Sequence, residues 1–175
     1  MKVLTLLRHA KSGWDDPVMR DFDRPLNPRG RRAAATVGRE MRRLGLAFDR
    51  VVASPARRVI ETLDEVDQSF GRLAPHYDER LYLASTDTLV EVARETGDGV
   101  DRLLLVGHNP GLEELVLRLS ADGALRSEVA LKYPTATLAE MRFDAPSWRQ
   151  VADGAATLAR FVRPRDLDPA LGPED

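Results

Sequence analysis

The 175-residue sequence predicts an α/β fold, a layered sandwich of helices around a mainly parallel β-sheet. Short continuous apolar runs at residues 3–7, 50–54 and 102–107 have the pattern of strands buried on both faces. Each is followed by a break and then by a segment whose apolar residues recur at helical spacing. A composition of 43% hydrophobic and 31% charged residues is that of a chain able to build a packed core, not of a disordered one. At this length one domain is the default. It is expected over residues 1–163, with the Pro-rich residues 164–175 as a loosely ordered tail.

The first strand ends abruptly in Arg8-His9. After an irregular stretch, Asn27-Pro28 supplies a helix N-cap followed by proline at the first helical position, and Gly45 a stop. Ala34, Val37, Met41 and Leu44 form the apolar stripe of this helix, and its arginines fill the solvated face. Residues 50–54 are a second strand, and Pro55 opens a helix with Arg57 and Arg58 in its first turn. Residues 75–78 are expected as a third strand, and Ser85 and Thr86 as the start of a helix that runs to about Thr96 and closes at Gly97. Residues 102–107 form another buried strand, followed by His108-Asn109-Pro110-Gly111 and a helix with Leu112, Leu115, Val116 and Leu119 on one face. The alternating segments 135–142 and 157–162 are expected as edge strands.

Bulk properties narrow the function. With 28 acidic against 26 basic residues, no global field points to nucleic acid or an anionic membrane, so neither is expected as a partner. The absence of cysteine removes disulfide frameworks and thiolate zinc sites and fits a cytoplasmic location. The N-terminal apolar run is too short for a signal peptide or a membrane span. There is no Gly-x-x-x-x-Gly-Lys-Ser/Thr loop and no His-Glu-x-x-His pair, which leaves nucleotide-triphosphatase and zinc-hydrolase chemistry without its parts. Asp64, Glu65 and Asp67 read as an exposed helix face and His76 as structural, so no metal and no cofactor are expected.

Two of the three histidines, His9 and His108, follow buried strands directly, and Arg8 and Arg58 stand at equivalent edges. In parallel sheets ligands sit beyond the carboxyl ends of the strands, near a topological switch point. Two guanidiniums at such an edge suit a phosphoryl group, because the Arg fork matches phosphate oxygens bidentately and keeps its charge. Those cations also disfavour imidazolium and leave a ring nitrogen free to attack.

These residues resemble the histidine phosphatase superfamily. The resemblance rests on Arg8-His9-Ala10-Lys11-Ser12, then Asp23-Arg24-Pro25-Leu26-Asn27 with Gly30, then Ser54-Pro55-Ala56-Arg57-Arg58-Val59-Ile60-Glu61-Thr62, then Gly107-His108-Asn109-Pro110-Gly111, in family order. It implies a three-layer α/β/α sandwich of the phosphoglycerate mutase-like fold. His9 would be the phospho-acceptor, Arg8 and Arg58 the clamp on the phosphoryl oxygens, and His108 a further hydrogen-bond donor. Arg57 competes with Arg58 for that role; Arg58 is preferred because it stands four residues after Ser54 and four before Thr62. Ser12, Arg24 and Asn27 are expected at the substrate. Glu79, within Asp78-Glu79-Arg80-Leu81-Tyr82, resembles the catalytic glutamate of the mutase branch, with Asp87 the alternative. Asp15 stands where mutase relatives carry a phosphate-contacting asparagine, and Trp14 is a candidate for the pocket mouth.

The Arg-His-Ala-Lys-Ser opening and the short spacing between motifs look most like the SixA-type phosphohistidine phosphatases. That likeness implies an open site and a phosphohistidine-bearing protein as substrate. The alternatives are a small-molecule phosphomonoesterase or mutase-like member of the superfamily, acting on a small phosphate ester, and a phosphate-binding module without turnover.

Overall fold

The structure is a computed structural model that describes residues 1–13 and 16–172. One six-stranded sheet runs through it in the order β3-β2-β4-β1-β5-β6. The four strands β1 (Lys2–Arg8), β2 (Arg50–Ala53), β3 (His76–Tyr77) and β4 (Arg102–Gly107) are parallel, whereas β5 (Leu138–Phe143) pairs antiparallel with both of its neighbours, β1 and β6 (Ala156–Val162). β5 is therefore an interior strand between β1 and β6, not the edge its alternation suggested, and β3 and β6 form the two edges.

Alternation along the strands fills two cores. Leu104, Val106, Val51 and Ala53 point to the face covered by α1 (Pro28–Arg43) and α2 (Arg57–Ser69). Leu103, Leu105, Val52, Leu4 and Leu6 point to the other, covered by α3 (Thr86–Arg94) and α4 (Gly111–Leu119), with Val129 of α5 (Ala124–Leu131) in the same cluster. The central strands β1, β2 and β4 are thus buried on both faces, which is why they are nearly continuously apolar and the sandwich has three layers.

The helix ends follow the punctuation of the sequence. The Asn27 side chain accepts from the Gly30 amide at 2.7 Å. At the other end of α1, Leu46 N–H donates to the Met41 carbonyl and Gly45 N–H to that of Arg42, a Schellman closure with Gly45 at φ +66°. Gly30 is needed for another reason: a Cβ there would lie 2.1 Å from the Lys11 carbonyl oxygen, so the first turn of α1 presses directly on the segment after His9.

Other boundaries shift. Pro55 lies ahead of α2, which starts at Arg57, and α3 ends at Arg94, short of Gly97. Helix α5 lacks both a capping side chain and a strong apolar face, and it went unnoticed in the sequence. Residues 164–172, expected as a loose tail, fold into α6 (Pro164–Leu167) and a single 3-10 turn, Pro169–Leu171. Leu171 is buried in the α1/α2 core, and apolar burial of that kind holds a short terminal segment down.

Candidate active site

Three adjacent parallel strands, β2, β4 and β1, end at one edge of the sheet and each delivers a polar residue there: Ser54, His108 and His9. The register is set by the backbone, since His9 N–H donates to the Gly107 carbonyl at 3.0 Å and Ser54 N–H to that of Val106 at 3.0 Å. The two imidazoles consequently face each other with centroids 5.2 Å apart. They lie in a cleft of about 280 Å³ also lined by Arg8, Lys11, Ser12, Asp21, Arg24, Arg58, Leu83, Asn109 and Thr135.

His9 is 7% exposed. Its Nδ1 lies 2.7 Å from the Ala10 carbonyl oxygen, which can only accept, so Nδ1 carries the proton and Nε2 the lone pair. Burial, and then the charges of Arg8 and Arg58 with the neighbouring His108, hold the ring well below its ordinary pKa against the pull of the Ala10 bond. His9 is accordingly a neutral imidazole with one basic nitrogen.

His108 is fixed from both sides. An Arg58 Nη donates to its Nδ1 at 3.2 Å, and Nε2 then carries the proton that goes to the Ser54 hydroxyl at 2.7 Å. Burial and the Arg58 charge lower its pKa to about 3. In this arrangement His108 orients Arg58. Donation to a phosphoryl oxygen, the role the resemblance implies, requires Nδ1 to exchange Arg58 for a proton.

The Ser54–Arg58–Thr62 spacing now has a physical reason. Ser54 receives His108, Arg58 reaches into the cleft from the first turn of α2, and one turn later Thr62 accepts from the Ala10 amide at 2.9 Å while donating to the Arg58 carbonyl at 2.7 Å. Thr62 thereby ties α2 to the backbone beside His9. Arg57 points outward and pairs with Glu61 at 2.9 Å, so the register favours Arg58.

Six expected residues, Arg8, His9, Ser12, Arg24, Arg58 and His108, line the cleft, whereas Glu79 and Asn27 do not. Glu79 sits exposed in a single 3-10 turn, Glu79–Leu81, because that turn points Leu81 into the core and leaves its first residue outside. Asn27 is consumed by capping α1, and its own N–H donates to the Lys11 carbonyl. The alternative, Asp87, is exposed on α3 and paired with Arg118 at 2.7 Å. Trp14 and Asp15 lie outside the described residues. Among the described residues no three His, Asp or Glu side chains converge as a metal site, and no helix is long and apolar enough to cross a membrane.

Sequence reasoning missed Asp21. It stands in the 3-10 turn Asp21–Asp23 and accepts from Arg58 at 3.0 Å, from Arg24 Nε at 3.1 Å and from the Tyr82 hydroxyl at 2.6 Å. Burial works to raise its pKa, but the hydrogen bonds from Tyr82 and Arg58 prevail and bring it to about 2. Phe22 packs edge-on against Tyr82 with centroids 5.1 Å apart and anchors the turn at the cleft.

Comparison with known proteins identifies the family. Residues 4–82 match the model of the histidine phosphatase superfamily, branch 1. An uncharacterized protein of Mycobacterium tuberculosis is 39% identical over 164 residues, spanning 91% of this chain and 100% of the relative. The chain belongs to the histidine phosphatase superfamily. A solved structure from Agrobacterium tumefaciens, assigned there as the phosphohistidine phosphatase SixA, superposes with a TM-score of 0.77 at 28% identity, covering 92% of this chain and 97% of the other. The protein histidine phosphatase SixA complexed with tungstate shares the fold, with a TM-score of 0.78 at 20% identity over 95% and 99% of the two chains.

Proposed function

We propose that this superfamily member hydrolyses phosphohistidine on a protein through a covalent phosphohistidine on His9. The observation that carries the reading is the state of His9: neutral, with Nδ1 committed to the Ala10 carbonyl and Nε2 left as the only basic ring nitrogen, beside two arginines. A nucleophile needs that lone pair, and a phosphoryl group needs the cations. Nε2 attacks phosphorus, the P–N bond to the substrate imidazole breaks, and the departing nitrogen takes a proton from water. Water then attacks phosphorus on His9, releasing inorganic phosphate and restoring the neutral ring.

Leaving-group chemistry favours phosphohistidine over an alkyl phosphate. Among the described residues the only carboxyl lining the cleft is Asp21, and at a pKa of about 2 it holds no proton to give near neutrality. An alkoxide needs such a proton as its bond breaks, whereas an imidazole leaves with far less help. The solved structures named SixA, one of them holding the phosphate-like oxyanion tungstate, support the same substrate class.

The test is a set of kcat/KM values for a phosphohistidine-bearing protein, an aryl phosphate and an alkyl phosphate, with acid-labile label trapped on the enzyme. Phosphohistidine should be the best substrate and the alkyl ester the worst, and His9→Ala should take no label while remaining folded. A labelled His9→Ala protein, or an alkyl ester that outranks phosphohistidine, would replace this reading.

A further inference from the structure

Arg58, Arg24 and the Tyr82 hydroxyl all donate to the Asp21 carboxylate at the cleft. A carboxylate placed only to hold Arg58 would be redundant, because the Asp21 backbone carbonyl already accepts from the other Arg58 Nη at 2.7 Å. Nor is the side chain locked in a core. It is 35% exposed, lines the cleft, and belongs to a three-residue turn with no buried member. Rotation about its own side-chain bonds would break the bonds from Arg58 and Arg24 to the carboxylate while the carbonyl kept Arg58 in place.

We infer that Asp21 is a specificity residue whose carboxylate engages arginine donors of the cleft, so that an entering anion must displace it. The inference rests on the phosphoryl reading of the site proposed above. Its selective consequence follows from charge and valence. A phosphoryl group brings close to two negative charges and three terminal oxygens, and gains more from two guanidiniums than a carboxylate does. A free carboxylate exchanges like for like against a tethered one, whose effective concentration is on the order of millimolar or higher. Carboxylates and other monoanions are therefore held off, and a phosphoryl dianion is admitted with an affinity lowered by the cost of displacement.

Calorimetric titration with inorganic phosphate, with acetate as competitor, tests this in wild type, Asp21→Asn and Tyr82→Phe. Asp21→Asn keeps the backbone carbonyl and the side-chain size but removes the competing charge, and should bind phosphate about tenfold more tightly. Acetate should then displace phosphate at concentrations that wild type ignores. Tyr82→Phe keeps the ring against His108, whose centroid lies 5.4 Å away, and removes only the 2.6 Å bond that steadies the carboxylate. A tightening of about two- to threefold is expected. Unchanged or weaker phosphate binding in folded Asp21→Asn would overturn the inference; should that variant fail to fold, the same result in Tyr82→Phe would do so. Wild type that binds no phosphate overturns this inference together with the reading beneath it, whereas normal wild-type binding and His9 labelling without tightening overturns the competition alone.

Discussion

The floor and the rim of the cleft are held by different physics. On the floor, His9, Arg58 and His108 are 7%, 2% and 4% exposed, and Ser54 is fully buried. They sit at strand ends or in a helix first turn whose backbone is bonded to the neighbouring strand, and each side chain has its position set within that frame. The rim is made of single turns and loops. Asp21 and Tyr82 meet there only through side chains, and Leu83 stands 55% exposed at φ +52°, a backbone conformation costly for a residue with a Cβ. Rigid groups suit transition-state charge, which rewards donors already in place. Yielding groups suit admission and choice.

The sharpest way to break that comparison is to remove one floor donor and its outward neighbour in turn. Arg58→Ala should lower kcat/KM for an aryl phosphate by roughly 10²–10³-fold, the usual loss for a preorganised donor at developing charge. Arg57→Ala, which forfeits only a surface pair with Glu61, should change it by less than about twofold. Equal losses, or the reverse ranking, would place the clamp outside the buried floor.

Acid stability sharpens the same contrast. His108 is depressed from 6.5 to about 3 in the folded protein, so between those values the unfolded chain binds a proton that the folded one refuses. Stability must then rise with pH across that window and fall on acidification, beginning near pH 6.5, by an amount on the order of a few kcal/mol. His9 contributes in the same sense. The rim carboxylate Asp21 acts lower, between its ordinary 3.8 and about 2, where loss of the native ionised form removes its arginine bonds. Urea titrations from pH 7 to 4 should show the decline in wild type and a shallower one in His108→Gln. A flat wild-type profile would mean that the floor imidazoles are not held neutral by burial.

What the sequence disclosed follows the same division. Strand ends, the Asn27 cap, the Gly45 stop and the Ser54–Arg58–Thr62 spacing are local signals, each fixed by backbone geometry within a few residues, and the floor could be assembled from them. The rim could not. Asp21 meets its neighbour Arg24, but it is also tied to Arg58 and Tyr82, 37 and 61 residues away, and nothing in its own neighbourhood announces those two partners. Glu79 illustrates the converse. Its local context resembles a catalytic glutamate, yet one 3-10 turn decides that Leu81 goes inward and Glu79 stays out. Strand β5 was misplaced for a related reason, because alternation reports which faces are buried and not which strands pair on either side.

The smallest expected effects belong to the two residues that family likeness put at the site and the fold put elsewhere. Glu79 is exposed and absent from the cleft wall, so Glu79→Gln removes a charge without a partner in the reaction and should leave kcat/KM within about twofold for phosphohistidine and alkyl substrates alike. Asn27 accepts the Gly30 amide at 2.7 Å, and Asn27→Ala should lower unfolding stability by about 1 kcal/mol through the lost cap. Its kinetics should stay close to wild type, since the Asn27 N–H that holds the Lys11 carbonyl belongs to the backbone and survives the substitution. A tenfold or greater loss of alkyl phosphate turnover in Glu79→Gln, with phosphohistidine spared, would mean that this turn carries its carboxyl into the cleft when substrate binds. Glu79 would then supply the proton that Asp21 cannot, and the small-molecule phosphatase reading would take the place of the phosphohistidine one.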